Sequence, residues 1–243
     1  LHVHGPGMLH SATKQIKSLA DLKGMKVRGP TRQVTKMLGA VGATPVGMPL
    51  PGIPDALSKG TIEACVIPWE VVPSVKVHEL TKFHSEFDNT GGALYTTTFV
   101  MAMNKAKYES LPADLKKVID ANSGAATSAA LGKQQQANDI AGRKAAVDRG
   151  NTIYQFTAAQ REEFVKLSAQ IDDEWVADMD KRVFKGAQLL STAKTLIATL
   201  YVPSDLSGSS RSILWRSTSM PRRASASATS LAASTPRPPT GPT

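Results

Sequence analysis

Between residues 18 and 69, short apolar runs alternate with segments whose apolar positions recur every three or four residues, the pattern of strands separated by amphipathic helices. Ser18 and Asp21 form a capping-box pattern that predicts a short helix ended by Gly24. A strand over Met25–Arg28 follows, broken by Gly29 and Pro30. Thr31 then caps a helix whose apolar face is Val34, Met37 and Leu38, and Gly42 stops it. A second strand is predicted over Thr44–Met48. Pro49, Pro51 and Pro54 mark a loop and the start of another helix, which packs through Ala56 and Leu57 and ends at Gly60. The third strand, Thr61–Ile67, is apolar nearly throughout, as a strand covered on both faces should be. Strands joined by helices of this length pair in parallel through right-handed crossovers, so the fold class is α/β.

The second half of the chain reads as helix-rich. A strand is predicted over Leu94–Met103, returning the chain toward a second lobe. Pro112 opens a long helical stretch that Gly124 interrupts and Gly150 closes. After a short strand at Thr152–Phe156, Thr157 and Gln160 repeat the capping-box pattern. The helix behind them carries Phe164, Leu167, Ile171, Trp175 and Met179 on one face, which reads as a core stripe. A last helix carries Leu189, Leu190, Ala193, Leu196, Ile197 and Leu200. The organisation expected is a βαβαβ lobe over 1–93, a return strand and long packing helices over 94–201, and a tail over 202–243.

Composition sharpens this only in places. Of the 243 residues, 41% are apolar and 20% charged, within the range of globular proteins. No apolar run reaches the ~18 residues of a membrane-spanning helix, and direct membrane insertion is not expected. The formal charge of +9 raises nucleic acid as a partner, but the tail alone supplies +4 of it, from five arginines against Asp205. That tail is serine-, proline- and arginine-rich, has no aromatic interleaving beyond Trp215, and is read as disordered and as a candidate frameshift product. Nucleic acid is therefore not an expected partner.

In open parallel sheets ligands bind outside the carboxyl ends of the strands. Arg28 ends the first strand, Met48–Leu50 ends the second, and Pro68-Trp69-Glu70 ends the third. Arg28 also precedes a helix start near Thr31, where free N–H groups favour an anion. A guanidinium there can hold a carboxylate through two parallel bonds. The competing reading is a structural salt bridge from Arg28 to Glu63 or Glu70. Trp69 offers a flat apolar wall or a core residue, and Glu70 an acceptor for a ligand hydroxyl or amine or a solvated loop position. His2, His4 and His10 match no zinc spacing, so no metal is expected. Cys65, the one cysteine, sits in a buried-type strand and reads as a small apolar residue. Phosphate-cradling glycine loops, GxSxG, HExxH and CxxC pairs are all absent from the sequence. Neither an enzyme nor a cofactor is expected.

The blocks "SLADLKGMKVRGP", "LGAVGATPVGMPL", "ALSKGTIEACVIPWE" and "FVMAMNKAKYESLPADLKKVID" resemble successive segments of the solute receptors of TRAP transporters, the DctP-like family, and "DEWVADMD" resembles its C-terminal helix. The resemblance runs over about residues 1–201. It implies a bilobed fold of the periplasmic-binding-protein type II kind, incomplete here because nothing in the chain matches the family's N-terminal lobe and signal peptide. It implies a periplasmic receptor that captures a small organic carboxylate and delivers it to integral-membrane permease subunits. By position it makes Arg28 the carboxylate anchor, with Met48, Leu50, Ile67, Pro68, Trp69 and Glu70 around the ligand. Ile67 in place of a polar residue argues against a sugar acid. A ligand-sensing module of the same fold, or a truncated fragment that binds nothing, are the alternatives.

Overall fold

The strand that organises the molecule is one the apolar pattern does not reveal. The computed structural model describes residues 1–87 and 93–200, with side chains described through residue 196, so the tail beyond Tyr201 lies outside them. After β1 (His2–Val3), β2 (Gly7–Ser11) is buried at all five positions and pairs antiparallel on both sides. The predicted succession then follows: α1 (Leu19–Leu22), β3 (Lys26–Gly29), α2 (Arg32–Ala40), β4 (Thr44–Gly47), a 3-10 turn at Leu50–Gly52, α3 (Ile53–Ser58) and β5 (Ala64–Pro68). β5 begins later than the apolar run suggests. Gly60, at φ +65°, turns the chain, and residues 62 and 63 are used to bond back to Ala56 and Lys26. A second 3-10 turn, Trp69–Val71, leads to α4 (Val77–Leu80) and β6 (Phe83–Phe87).

Of the strand predicted over 94–103, only β7 (Thr98–Phe99) forms, because its partner β1 offers two residues. Met101 beyond it is 94% exposed. α5 (Lys105–Glu109) precedes Pro112, α6 (Ala113–Ala121) and α7 (Ala125–Asp148) are divided at Gly124 as expected, and β8 (Thr152–Phe156) returns to the sheet. α8 (Ala158–Lys181) and α9 (Gly186–Leu200) follow. None of these helices is long and apolar enough to cross a membrane.

Among the described residues the main sheet has the order β4-β3-β5-β2-β6-β8, with β2 antiparallel to its neighbours and the rest parallel. Each face buries a core. On one, Leu9, Val27, Val66 and Phe87 meet Val34 and Leu38 of α2 and Phe164 of α8, with Phe87, Phe156 and Phe164 in mutual ring contact. On the other, Met8, Cys65 and Ile67 meet Ile53 and Leu57 of α3, Val77 of α4 and Ala146 of α7.

The core stripe expected on α8 is only partly core. Phe164 is buried, but Ile171, Trp175 and Met179 are half-buried and Leu167 is exposed. Their facing neighbours, α2 and the segment 94–98, leave an open groove of about 810 Å³. Lys36–Glu174 and Arg32–Asp178 ion pairs tie α2 to α8 at its far end. The last helix also shows apolar surface, with Leu189 and Leu196 exposed.

Candidate functional site

β3, β4 and β5 run parallel and end together, which brings three of the predicted segments to one edge of the sheet. Arg28 lies opposite Val46 on β4 and Cys65 on β5 and is 4% exposed. Its Nε donates to the Met48 carbonyl at 3.1 Å and its Nη1 to the Val66 carbonyl at 3.3 Å. A guanidinium carries five donor hydrogens, and these bonds engage two of them. Among the described residues Arg28 has no carboxylate partner. Glu63 instead accepts from the backbone N–H of Lys26, and the titratable neighbours of Glu70 are His4, Asp139 and His2. The salt-bridge reading of Arg28 therefore has no partner here. Burial lowers the guanidinium's pKa, with Cys65 and Tyr95 opposing, yet arginine remains charged in proteins.

Met48 and Leu50 are half-buried beside the second strand end, and Ile67 and Pro68 are buried at the third. Trp69 and Glu70 turn elsewhere. The Trp69 indole is buried against His10 and His84, with ring centroids 4.9 and 5.0 Å away, and its Nε1 donates to Glu86 at 2.9 Å. Glu86 in turn receives a bidentate pair from Arg143 of α7, the shortest bond being 2.8 Å. The Glu70 N–H donates to Asp139 of α7 at 2.8 Å, and burial raises the pKa of both carboxyls. Gly142 of α7 comes so close to this turn that a Cβ on it would lie 1.9 Å from the Trp69 carbonyl oxygen. α7 thus grips the turn that follows β5.

A third arrangement is a buried histidine pair. His10 Nδ1 and His84 Nδ1 are 2.7 Å apart, and His10 Nε2 is 3.1 Å from the Ile67 carbonyl. That carbonyl can only accept, so His10 Nε2 carries the proton and, in the neutral pair, His84 Nδ1 donates to His10 Nδ1. The remaining His84 nitrogen lies 3.0 Å from Asn151 Nδ2, which also serves the His78 and Thr81 carbonyls. Burial holds both rings neutral. His84 is brought down to about 4 by burial with His78 adding, and His10 falls well below its ordinary value by burial and then by His84. Cys65, between Arg28 and His10, is pushed up to about 12 by burial and stays a thiol. His2 and His4 lie apart from His10, on and just after β1, against Phe99.

Sequence reasoning missed Tyr95. Its hydroxyl reaches the Val66 carbonyl at 3.4 Å, the same oxygen that Arg28 engages. It also lines the groove by α8 together with Thr31, whereas Arg28 does not.

A family profile described as bacterial extracellular solute-binding protein, family 7 (DctP) matches residues 1–178. A solved TRAP solute-binding protein from Rhodoferax ferrireducens T118, in complex with copurified benzoate, is 65% identical with a TM-score of 0.78 over 81% of this chain and 61% of that one. A marine metagenome TRAP solute-binding protein described as specific for aromatic acid ligands, co-crystallized with 3-hydroxybenzoate, is 47% identical with a TM-score of 0.76 over 81% and 61%. The C4-dicarboxylate-binding periplasmic protein DctP of Rhodobacter capsulatus is 26% identical over 77% of this chain and 54% of its own length. The chain spans about half the length of the curated relatives it matches. The profile spans well over half of the chain, and the solved relatives share its fold: the chain belongs to family 7 of the bacterial extracellular solute-binding proteins, the DctP family.

Proposed function

We propose that this chain is the ligand-capturing part of a periplasmic receptor for a small aromatic carboxylate, which passes its cargo unchanged to integral-membrane TRAP permease subunits. The observation that carries the reading is Arg28, a buried cation that no carboxylate of the described residues neutralises. An uncompensated buried charge is strongly unfavourable, and a ligand carboxylate relieves it with charge-assisted bonds. Half-buried Met48 and Leu50 give the strand ends an apolar surface suited to an aromatic ring, and Ile67 and Pro68 are buried behind it. Trp69 and Glu70 act from behind, holding the turn that carries Pro68. Benzoate and 3-hydroxybenzoate in two relatives point to the same ligand class.

The test is calorimetric titration of the full-length protein with benzoate and with benzamide, its uncharged counterpart. Benzoate should bind and benzamide should not. Arg28→Ala should weaken benzoate by about 4 kcal/mol, near a thousand-fold. An Arg28→Ala protein that keeps its benzoate affinity would refute the anchor.

A further inference from the structure

We propose that Tyr95 determines specificity at the Arg28 site: its phenol O–H supplies a second donor to the ligand carboxylate, and its ring packs against the ligand's ring. The inference rests on the receptor reading above and assigns a role to a residue that the strand-end argument does not reach. Its first support is convergence. Arg28 Nη1 and Tyr95 Oη both address the Val66 carbonyl, at 3.3 and 3.4 Å. For an O–H donor 3.4 Å is long against the usual ~2.7–2.8 Å. The phenol hydrogen is weakly engaged and the carbonyl is claimed twice. A carboxylate placed between the two donors offers each a separate charged oxygen, and such bonds are shorter and stronger than those to a neutral carbonyl.

The second support is that the ring's position is built rather than incidental. The N–H of Gly7 donates to the Tyr95 carbonyl at 2.9 Å, and Thr96 Oγ1 donates to the His4 carbonyl at 3.0 Å. Between these bonds the Tyr95 ring lies against Gly7 so closely that a Cβ there would fall 1.8 Å from Cε1. His4 meets the ring edge-on, with centroids 5.8 Å apart. The ring is therefore held on its Cε1 side by the start of β2. The residue is nonetheless only half-buried. Burial raises the phenol pKa, which keeps the hydrogen available at neutral pH. Aromatic pairs gain beyond simple area burial, so such a platform favours a ligand ring over a saturated one.

Titrating the full-length protein with benzoate and cyclohexanecarboxylate tests both parts. Wild type should prefer benzoate. Tyr95→Phe keeps the ring on Gly7 and should weaken benzoate about ten-fold, equivalent to about 1.4 kcal/mol. Tyr95→Leu should erase the preference for benzoate over cyclohexanecarboxylate, with thermal melting of the ligand-free protein confirming that both variants fold. Tyr95→Phe binding benzoate as tightly as wild type, or Tyr95→Leu keeping the preference, overturns the proposal while Arg28→Ala still loses affinity. Wild type that binds neither acid overturns the receptor reading itself.

Discussion

One row of cross-strand neighbours, Val46, Arg28, Cys65, His10, His84 and Ile153, crosses the whole sheet, and its two ends treat buried polarity in opposite ways. At the His10–His84 end every ring nitrogen has a partner, the Trp69 N–H has Glu86, and Glu86 has Arg143. At the Arg28 end a formal charge is buried and, among the described residues, two backbone carbonyls meet it. Both ends lie on the same face, a few strands apart, so burial alone does not separate them. Satisfaction does. A polar cluster that closes on itself rigidifies the sheet, and one left open keeps donor capacity that the proposed ligand would use.

The largest effect that would sharpen this contrast is acid sensitivity of the closed end. His84 titrates near 4 when folded against 6.5 when free, so between these values the unfolded chain takes up a proton the folded one refuses. Stability should be complete above about pH 6.5 and fall by about 3 kcal/mol as the pH drops toward 4. The raised carboxyls of Glu70 and Asp139 work in the opposite direction and soften the acid limb. Melting temperatures between pH 4.5 and 7.5 should follow this slope, and His84→Gln should flatten it. A flat wild-type profile would mean that the pair is not held neutral.

A smaller effect is expected at the α7 clamp. Gly142→Ala brings a Cβ against the Trp69 carbonyl, and overpacking of about 3 kcal/mol less about 1 kcal/mol of helix propensity leaves about 2 kcal/mol of destabilisation in a urea melt. No change would show that α7 does not grip the turn. Least of all should stability depend on the open end. Arg28→Met removes a charge with no counter-charge among the described residues, so the ligand-free protein should stay within about 1 kcal/mol of wild type or gain stability. A loss as large as that of the acid limb would break the comparison.

The sequence displays the open end better than the closed one. β3, α2, β4, α3 and β5 are legible because caps and breakers punctuate them: Asp21 accepts from the Ser18 N–H, Thr31 from Val34, and Gly24, Gly42 and Gly60 take positive φ. Arg28 falls at a strand end by that reading alone. β2 and β6 escape it because their buried positions include His10, Ser11, His84, Ser85 and Glu86, residues that pattern analysis assigns to surfaces. The inner face of α7 escapes it too. The stripe Ser128, Gly132, Gln135, Asp139, Gly142 and Ala146 has helical spacing but is small and polar, so apolar periodicity cannot orient the helix. Tyr95 depends on Gly7, far away along the chain, and no local pattern carries such a pairing.

The histidine pair also carries a spectroscopic signature. With the Ile67 carbonyl able only to accept, the two imidazoles must hold their protons on different nitrogens, Nε2 in His10 and Nδ1 in His84. The folded protein therefore contains one residue type in two fixed and opposite tautomers, side by side. Nitrogen-15 resonances of those rings would report directly, and without any ligand, on whether β2, β5 and β6 are in register.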